Sequence, residues 1–354
     1  MRPAIGLFAI SLLAAVTAHA NPNAPAPQPA PQPAPPAPAD AGSISERAAL
    51  LAPIQVESLT LTPIVATAQI ATGGTAAPML VLDEAMTSGK VKIAENDRES
   101  VNNLTMINSS EQPVFVLAGE VIIGGKQDRI IGANTVIPAK TTLSVPVYCV
   151  EHGRWDNSSR VFSTANALAH GKLRGKASFE AQGDVWKEVA ETNAKRKTAN
   201  ATDTYRTVAK QQSDGTLKDW QQKVDAALAK VPAADRARMI GYVIALNGQV
   251  ATVDIFQSPA LFKKLEPKLL RSYVTEAVSV PAQKDAKAPT PAAVKSFMAD
   301  ADKAAEQRSY ETKAAKTRVK KGARAGKASV DFSDDAAAPA ASPPPAVYES
   351  YQVR

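Results

Sequence analysis

Short apolar or alternating stretches, separated by turn residues, fill the first half of the chain. They are rich in β-branched residues and lie at 54–68, 91–95, 101–107, 113–123, 130–131, 135–137 and 142–150. Alternation with a period of two predicts β-strands that bury one face. Short strands at this spacing favour a sandwich or a rolled antiparallel sheet over alternating βαβ units.

A β-hairpin is the clearest local prediction in the second half. Two β-rich stretches, Met239–Leu246 and Gln249–Phe256, flank the dipeptide Asn247-Gly248. Both residues of this dipeptide tolerate the positive φ angles of a type I′ turn. The sequence therefore predicts that the two stretches pair as neighbouring strands.

Helical periodicity predominates between these two β-rich regions. It covers residues 164–231 and is clearest at 216–231, where the apolar residues share one helical face. A later helix is expected to start with Ser258 as N-cap and Pro259 as its first residue, and to kink or split at Pro267. The predicted fold class is α+β, with a β-rich core, either a sandwich or a rolled antiparallel sheet, and a mainly helical arm at 164–231.

Composition divides the chain into four expected segments. Residues 1–20 combine a positive start, a short apolar run and an Ala-His-Ala site, which predicts a signal peptide cleaved after Ala20. Residues 21–43 are rich in Ala and Pro and are expected to form a disordered spacer. The folded domain is expected at 44–280, followed by an Ala/Lys-rich helical and low-complexity tail at 281–354.

Positive charge is concentrated in two clusters. The net charge is +7, and the clusters lie at 195–197 and 313–327. The second overlaps an Ala/Lys-rich stretch that predicts a helix from residue 290 to about 321. In an exported chain, the possible partners of such basic clusters are anionic lipid or cell-wall polymer rather than nucleic acid. The favoured interpretation is a solvated basic tail without a specific partner. No stretch after residue 20 is long and apolar enough to span a membrane, so a periplasmic or secreted location is expected.

The residues most suited to catalysis or ligand binding lie at 119–155. Alternation places Glu120 on an apolar face, where a carboxylate has to be paired or protonated. Lys126, Arg129 and Arg154 are its candidate partners. A buried ion pair that fixes the sheet and a role as an acid, base or ligand anchor are both consistent with this pattern.

Three residues are candidates for catalysis: Glu120, Glu151 and Cys149. Cys149 is the only cysteine, so an intramolecular disulfide is excluded. A thiol on the inner face of a strand is more often a small buried hydrophobe than a nucleophile. The histidines at 152 and 170 lack metal-ligand spacing, and neither a metal nor a cofactor is expected.

A second set of residues is suited to binding. The candidate ligand-binding residues are Lys126, Gln127, Arg129, Arg154 and Trp155. Arginine offers a planar fork for carboxylate or phosphate, and tryptophan an apolar face with one donor. This set suits an anionic ligand that carries a ring, and equally a structural Arg–Glu bridge under a stacked Trp. We expect six residues to converge in space: Glu120, Gln127, Arg129, Glu151, Arg154 and Trp155.

Several motifs of the chain resemble one family. They are Glu120, Gly125-Lys126-Gln127-x-Arg129, Pro138-Ala139, Cys149-Val150-Glu151-x-Gly153-Arg154-Trp155, Asp254-x-Phe256 and Leu270-x-Ser272-Tyr273. Over roughly residues 50–280 the sequence resembles the ADP-ribosylglycohydrolase- and rhodanese-phosphatase-associated protein domain. That family has no established activity, and its name implies only an association with enzymes of ADP-ribose and phosphate esters.

Two functional hypotheses follow. The first is an exported cell-envelope binding or interaction module, whose site at 119–155 takes an anionic small molecule or a cell-envelope polymer. The alternative is a hydrolase-type enzyme that acts on a phosphate- or ribose-bearing, ADP-ribose-like substrate, with Glu120 or Glu151 as acid or base. A titratable group with a clear orienting partner in an open cleft would favour the enzyme.

Overall fold

The computed structural model describes residues 43–67, 78–95, 101–156, 159–312, 314–333 and 346–354. The predicted signal peptide and all of the predicted spacer except Ser43 lie outside these residues. The described ranges contain eight α-helices and 18 strands, and the strands form three sheets. This β-rich arrangement confirms the predicted α+β class.

The strands are short, as the alternation predicts. They are β1 (Ala48–Leu50), β2 (Ile54–Val56), β3 (Leu59–Ala66), β4 (Leu80–Val81), β5 (Val91–Glu95), β6 (Asn103–Asn108), β7 (Val114–Val116), β8 (Glu120–Gly124), β9 (Arg129–Ile131), β10 (Thr135–Ile137), β11 (Thr142–Cys149), β12 (Phe162–Leu168), β13 (Met239–Leu246), β14 (Gln249–Phe256), β15 (Glu306–Glu311), β16 (Ala315–Lys321), β17 (Ala325–Phe332) and β18 (Ala346–Val353).

The helices lie mainly between β12 and β13. They are α1 (Leu82–Thr87), α2 (Gly171–Phe179), α3 (Gln182–Arg196), α4 (Arg206–Gln211), α5 (Lys218–Leu228), α6 (Ala233–Arg236), α7 (Pro259–Ala277) and α8 (Pro291–Asp302), and a short 3₁₀ helix precedes β1 at Ile44–Arg47. The helical arm begins later than predicted, because residues 164–168 pair with β8 as part of β12.

The largest sheet has nine strands in the order β1-β3-β13-β14-β18-β17-β16-β15, with β2 also paired to β3. Its centre contains the predicted hairpin of β13 and β14. Asn247 and Gly248 form the turn with φ angles of 47° and 80°, as a type I′ turn requires. The hairpin prediction is therefore confirmed.

Helix α7 packs on one face of the nine-stranded sheet. The Ser258 hydroxyl caps its start by accepting a hydrogen bond from the Leu261 N–H at 3.2 Å, and Pro259 is its first residue. The helix continues through Pro267, so the predicted split does not occur. Its buried face, which includes Phe262 and Leu269, is held against the sheet on both sides of the proline.

The predicted helix from residue 290 to about 321 is wrong beyond Asp302, where α8 ends. The chain instead forms β15, β16 and β17. Cross-strand pairing overrides the helix propensity of Ala and Lys, because Lys316 lies opposite both Glu311 and Asp331. Arg318 also pairs with Asp331 at 2.6 Å. The basic cluster at 313–327 is thus mostly part of a sheet with acidic neighbours, and its interpretation as a solvated tail is wrong.

A six-stranded antiparallel sheet in the order β12-β8-β9-β11-β6-β5 forms the second core. The sheet rolls up until its two edges meet, since Ala94 of β5 is bridged to Val161 just before β12. The Glu95 N–H donates to the Arg160 carbonyl at 3.1 Å across the same seam. Apolar residues such as Ile131 and Val147 fill its interior. The third sheet, β10-β7-β4, is small.

Candidate functional site

A buried carboxylate, Asp128, organises the turn between β8 and β9. Arg206, at the start of α4, donates to it twice, from Nη2 at 2.6 Å and from Nε at 2.8 Å. The Thr204 hydroxyl donates to it at 2.9 Å, and Arg154 Nη2 lies 3.4 Å away. Asp128 has no exposed surface, so these contacts replace the water that the carboxylate loses on folding.

Glu151 and Arg154 extend this network. Arg154 Nε donates to Glu151 Oε2 at 3.0 Å, and the Asp128 N–H donates to the same oxygen at 3.0 Å. The other carboxylate oxygen accepts from the Thr202 hydroxyl at 2.9 Å. Partial burial lowers the pKa of Arg154, but the Glu151 and Asp128 carboxylates outweigh it and raise that pKa above its ordinary value. Glu151 therefore orients Arg154 and keeps it charged.

The arginines of this network line an open cleft of about 520 Å³. Gly124 and Gly125 form one wall with φ angles of 124° and 54°. A Cβ atom at residue 125 would lie 2.2 Å from the Phe162 ring, so only glycine lets the turn pass this close. The Arg154 side chain is 20% exposed and that of Arg206 46%. The cleft thus presents two guanidinium groups to solvent.

Trp155 lies at the rim of this cleft. It stands between Arg154 and Asp156, which both line the cleft, and it is 56% exposed. Lys126 Nζ lies 5.0 Å from the centre of its ring, within the range of a cation–π contact. Lys126 and Trp155 are therefore in contact, and Trp155 follows Arg154 in the chain.

Gln127 and Arg129 lie elsewhere, in the interior of the rolled sheet. Arg129 has no exposed surface, and its Nη1 donates to the Gln127 carbonyl at 2.8 Å. Its Nη2 is 4.0 Å from Glu95 Oε1, and neither Nε nor Nη2 forms a hydrogen bond within the described ranges. Gln127 is only 6% exposed. Neither side chain lines the cleft.

Cys149 lies opposite Arg129 across β11 and β9. Its side chain is buried, and burial raises the pKa of the thiol although the nearby Arg129 charge lowers it. The thiol therefore stays protonated at neutral pH and is a poor nucleophile.

Glu120 lies at the other end of β8, away from the cleft. Its carboxylate pairs with the Lys268 ammonium of α7 and accepts the Leu117 N–H at 2.8 Å. The same ammonium pairs with Asp83 of α1. The prediction of Lys126, Arg129 or Arg154 as its partner is wrong. The convergence of all six residues is also wrong, because the four steps from Glu120 to Gly124 span about 13 Å of extended strand.

Burial has opposite consequences for the two ends of the Glu120–Lys268 pair. Loss of water raises the pKa of Glu120 to about 7, and the attraction of Lys268 offsets only part of this rise. Burial would lower the pKa of Lys268, but two carboxylates, Glu120 and Asp83, raise it above its ordinary value. The ammonium therefore keeps its proton, and Glu120 is the group that titrates near neutrality.

A fully buried ion pair lies between α2 and the nine-stranded sheet. Arg174 donates to both Asp254 oxygens, at 3.0 and 2.9 Å, and to the Tyr348 hydroxyl at 2.8 Å. The Tyr273 hydroxyl donates to Asp254 at 2.5 Å. Gly119 makes room for this arginine, because a Cβ atom there would lie 2.4 Å from Arg174 Cγ. Neither side chain is more than 1% exposed, so the pair joins the elements around it.

The sequence did not indicate Asp128, Arg206 or Lys268 as functional or pairing residues. Asp128 lies in the polar run Lys126-Gln127-Asp128-Arg129, and this run could have indicated it as a candidate. Arg206 and Lys268 are 78 and 148 residues from the carboxylates that they contact, and no local pattern connects them. Within the described ranges, no group of three or more His, Cys, Asp or Glu side chains is placed to hold a metal ion. No helix described here is long and apolar enough to cross a membrane.

These features define a class of β-rich α+β protein in which a rolled antiparallel sheet carries an arginine-lined cleft at one end. The chain belongs to the family of the ARG and Rhodanese-Phosphatase-superfamily-associated Protein domain, whose family model matches residues 47–338. The match extends past residue 280 and takes in β15, β16 and β17. No curated protein and no solved structure matches the chain.

Proposed function

We propose that this protein is an exported binding module that takes an anionic small molecule in the cleft beside Gly124 and Gly125. The observation that carries the proposal is the anchoring of two cleft-lining arginines, Arg154 and Arg206, on one buried carboxylate, Asp128. Arg154 donates to Glu151 and to the Gly125 carbonyl and thereby fixes the wall of the cleft. Arg206 is held by Asp128 in a fixed orientation, so little side-chain entropy is lost when its remaining donor binds a ligand.

The charge balance of the site favours a small ligand over a polymer. The carboxylates of Asp128 and Glu151 balance the charges of Arg154 and Arg206, and Asp156 adds a third acid 3.5 Å from Arg154, so the site has no excess positive charge. Affinity then depends on well-placed hydrogen bonds rather than on long-range attraction. Arg206 supplies such a donor, because its Nη1 forms no hydrogen bond with the described residues. A carboxylate or phosphate group fits this geometry.

The rim of the cleft supports a ligand that also carries a ring or another apolar part. Trp155 and Val161 are 56% and 60% exposed, and Val161 lines the cleft. Exposed apolar side chains beside oriented polar groups are typical of sites that bind small molecules.

The hydrolase alternative has weaker support. None of the three candidate catalytic residues lines the cleft. Glu120 pairs with Lys268, the Cys149 thiol is buried, and Glu151 is 3% exposed with both oxygens engaged. Asp156 is a half-exposed carboxylate of the cleft, and it lies 3.5 Å from Arg154.

A thermal-shift screen followed by calorimetric titration tests the proposal. The ligands are nucleotides, ADP-ribose, sugar phosphates and cell-wall fragments. We expect at least one of them to raise the thermal midpoint of the wild type, and Arg206→Gln to remove that rise. Arg238→Gln is the matched control, because Arg238 is 51% exposed and pairs with Asp235 at 2.7 Å outside the cleft. The proposal is wrong if no anion stabilises the wild type, or if Arg206→Gln keeps the full shift.

A further inference from the structure

The arginine-lined cleft also contains an acid, Asp156. Its side chain is 44% exposed, almost as much as the 46% of Arg206, and both residues line the cleft. Each of these charged side chains therefore has a part that a ligand can reach from solvent. A ligand bound between them meets charges of both signs.

Arg154 connects these two groups. Its Nη1 lies 3.5 Å from Asp156 Oδ2, and its Nη2 lies 3.4 Å from the Asp128 oxygen that Arg206 Nη2 contacts at 2.6 Å. The Asp156 carboxylate and the Arg206 guanidinium are thus neighbours of the same arginine. One small ligand can contact both.

Both groups keep hydrogen-bonding capacity for a ligand. Nη1 of Arg206 forms no hydrogen bond with the described residues. The two oxygens of a carboxylate can together accept about four hydrogen bonds, so the contact with Arg154 does not exhaust Asp156. The cleft can therefore donate to an anionic group at Arg206 and accept from a cationic group at Asp156.

The other residues that line the cleft carry no charge. They are Ile123, Gly124, Gly125, Ser159, Val161, Phe162 and Ser163. The two serine hydroxyls donate to main-chain carbonyls, that of Ser159 to Val161 at 3.0 Å and that of Ser163 to Ile123 at 3.4 Å. Phe162 is buried, whereas Val161 is 60% exposed and offers apolar surface to a ligand.

The charge balance of the site favours a ligand that carries a positive group as well. The carboxylates of Asp128, Glu151 and Asp156 exceed the two arginines by one negative charge. Lys126 can offset this charge only at the rim, where its ammonium lies on the Trp155 ring outside the cleft lining. A purely anionic ligand is repelled by Asp156, whereas an ammonium group on the same ligand turns this repulsion into attraction.

We propose that the cleft binds a free α-amino acid with an apolar or aromatic side chain. Its carboxylate accepts from Arg206, its ammonium group donates to Asp156, and its side chain lies on Val161. An α-amino acid carries both charged groups on one carbon atom, which matches two protein groups that contact the same arginine network. This inference rests on the function proposed for the cleft and narrows the ligand to one chemical class.

Calorimetric titration of the full chain with L-phenylalanine and two analogues tests which charges are recognised. 3-Phenylpropionate has the same ring and carboxylate but no ammonium group, and 2-phenylethylamine has the ammonium group but no carboxylate. We expect both analogues to bind at least about fivefold more weakly than L-phenylalanine, because each loses one charged hydrogen bond.

Two substitutions assign the charged groups of the ligand to the protein. Asp156→Asn should weaken binding of L-phenylalanine by about fivefold or more and should not weaken binding of 3-phenylpropionate, which has no ammonium group. Arg206→Gln should weaken binding of both. Asp235→Asn is the matched control, because Asp235 also pairs with an arginine, Arg238, at 2.7 Å outside the cleft. Thermal midpoints check that the variants fold.

The outcomes separate this inference from the function proposed for the cleft. Equal affinities of the wild type for L-phenylalanine and 3-phenylpropionate, or an unchanged affinity of Asp156→Asn for L-phenylalanine, would overturn the amino-acid ligand but not the anion site. The same holds if L-phenylalanine fails to bind and a phosphate ligand binds. Both proposals are wrong if no carboxylate or phosphate ligand binds, or if Arg206→Gln binds its ligands with wild-type affinity.

Discussion

The Lys268 ammonium of α7 is paired inside the protein with the carboxylate of Glu120, the first residue of β8. Asp83 of α1 contacts the same ammonium, so one lysine ties three elements together. With both acids ionised, this buried cluster carries an excess negative charge. A proton on Glu120 removes that excess, which agrees with its pKa of about 7.

Stability should therefore depend on pH through Glu120. The folded protein binds this proton up to about pH 7, whereas the unfolded chain loses it near the ordinary value of 4.5. The contribution of Glu120 to stability is present in full below pH 4.5 and is lost as the pH rises to about 7. The shift corresponds to a loss on the order of 3 kcal/mol across this window.

Denaturant unfolding at several pH values between 4.5 and 7 measures this loss. In Glu120→Gln the pH dependence should be smaller, because the glutamine does not titrate. Glu111→Gln is the control, since Glu111 also pairs with a lysine, Lys140, but its side chain is 82% exposed. If the stability of the wild type and of Glu120→Gln changes equally over this range, Glu120 does not titrate near neutrality.

Breaking the Arg174–Asp254 ion pair should lower the free energy of unfolding more than breaking most other ion pairs of the protein. Arg174→Met leaves the Asp254 carboxylate buried with hydroxyl partners, and we expect the free energy of unfolding to fall by about 3–5 kcal/mol. Arg324→Met is the matched control, because Arg324 lies 3.8 Å from Asp300 with 66% of its side chain exposed. Its cost should be below about 1 kcal/mol. Equal unfolding midpoints in guanidinium chloride for the two variants would contradict this ranking.

The hairpin turn predicts that replacing glycine with alanine affects stability differently at two positions. Gly248→Ala should destabilise the protein by more than about 1 kcal/mol. Its φ is positive, and the added Cβ would lie 2.4 Å from the Lys287 carbonyl oxygen. Gly183→Ala, near the start of α3 with no atom within 4 Å of the added Cβ, should be neutral or stabilising. Thermal unfolding of both variants checks the prediction, and an unchanged midpoint for Gly248→Ala would count against the turn.

Export predicts the start of the mature chain. Residues 1–20 have the pattern of a cleaved signal peptide, so expression in a Gram-negative host should give a periplasmic protein that begins at Asn21. Intact-mass spectrometry of the purified protein measures this directly. A retained Met1 would reject the signal peptide, and a start well inside 24–42 would place the cleavage site elsewhere.

Local signals in the sequence were sufficient for parts of the fold. Asn247, Gly248, Ser258 and Pro259 act through their own backbone conformations and nearest neighbours, so the hairpin and the start of α7 were predictable. The region from 306 to 332 was not, because an Ala/Lys-rich composition favours a helix in isolation. Its strands are stabilised by cross-strand partners, which the composition of one segment cannot reveal.

The candidate site was predictable only in part, for a similar reason. Alternation correctly placed Glu120 on a buried face, but it gives no information about which distant residue compensates the charge. Closeness in sequence places Trp155 beside Arg154, which lines the cleft. The same closeness was misleading for Arg129, because successive residues around Asp128 point alternately to the cleft network and to the interior of the rolled sheet.

The position of β18 has a consequence for biosynthesis. This strand lies between β14 and β17, although it follows β14 by about 90 residues in the chain. The nine-stranded sheet cannot be completed until β18, which ends at Val353, has been synthesised. Until then, the edges of β14 and β17 that β18 will join remain unpaired. Such edges favour pairing with other chains, so a chain that is not yet fully synthesised or translocated depends on rapid completion or on a chaperone to avoid aggregation.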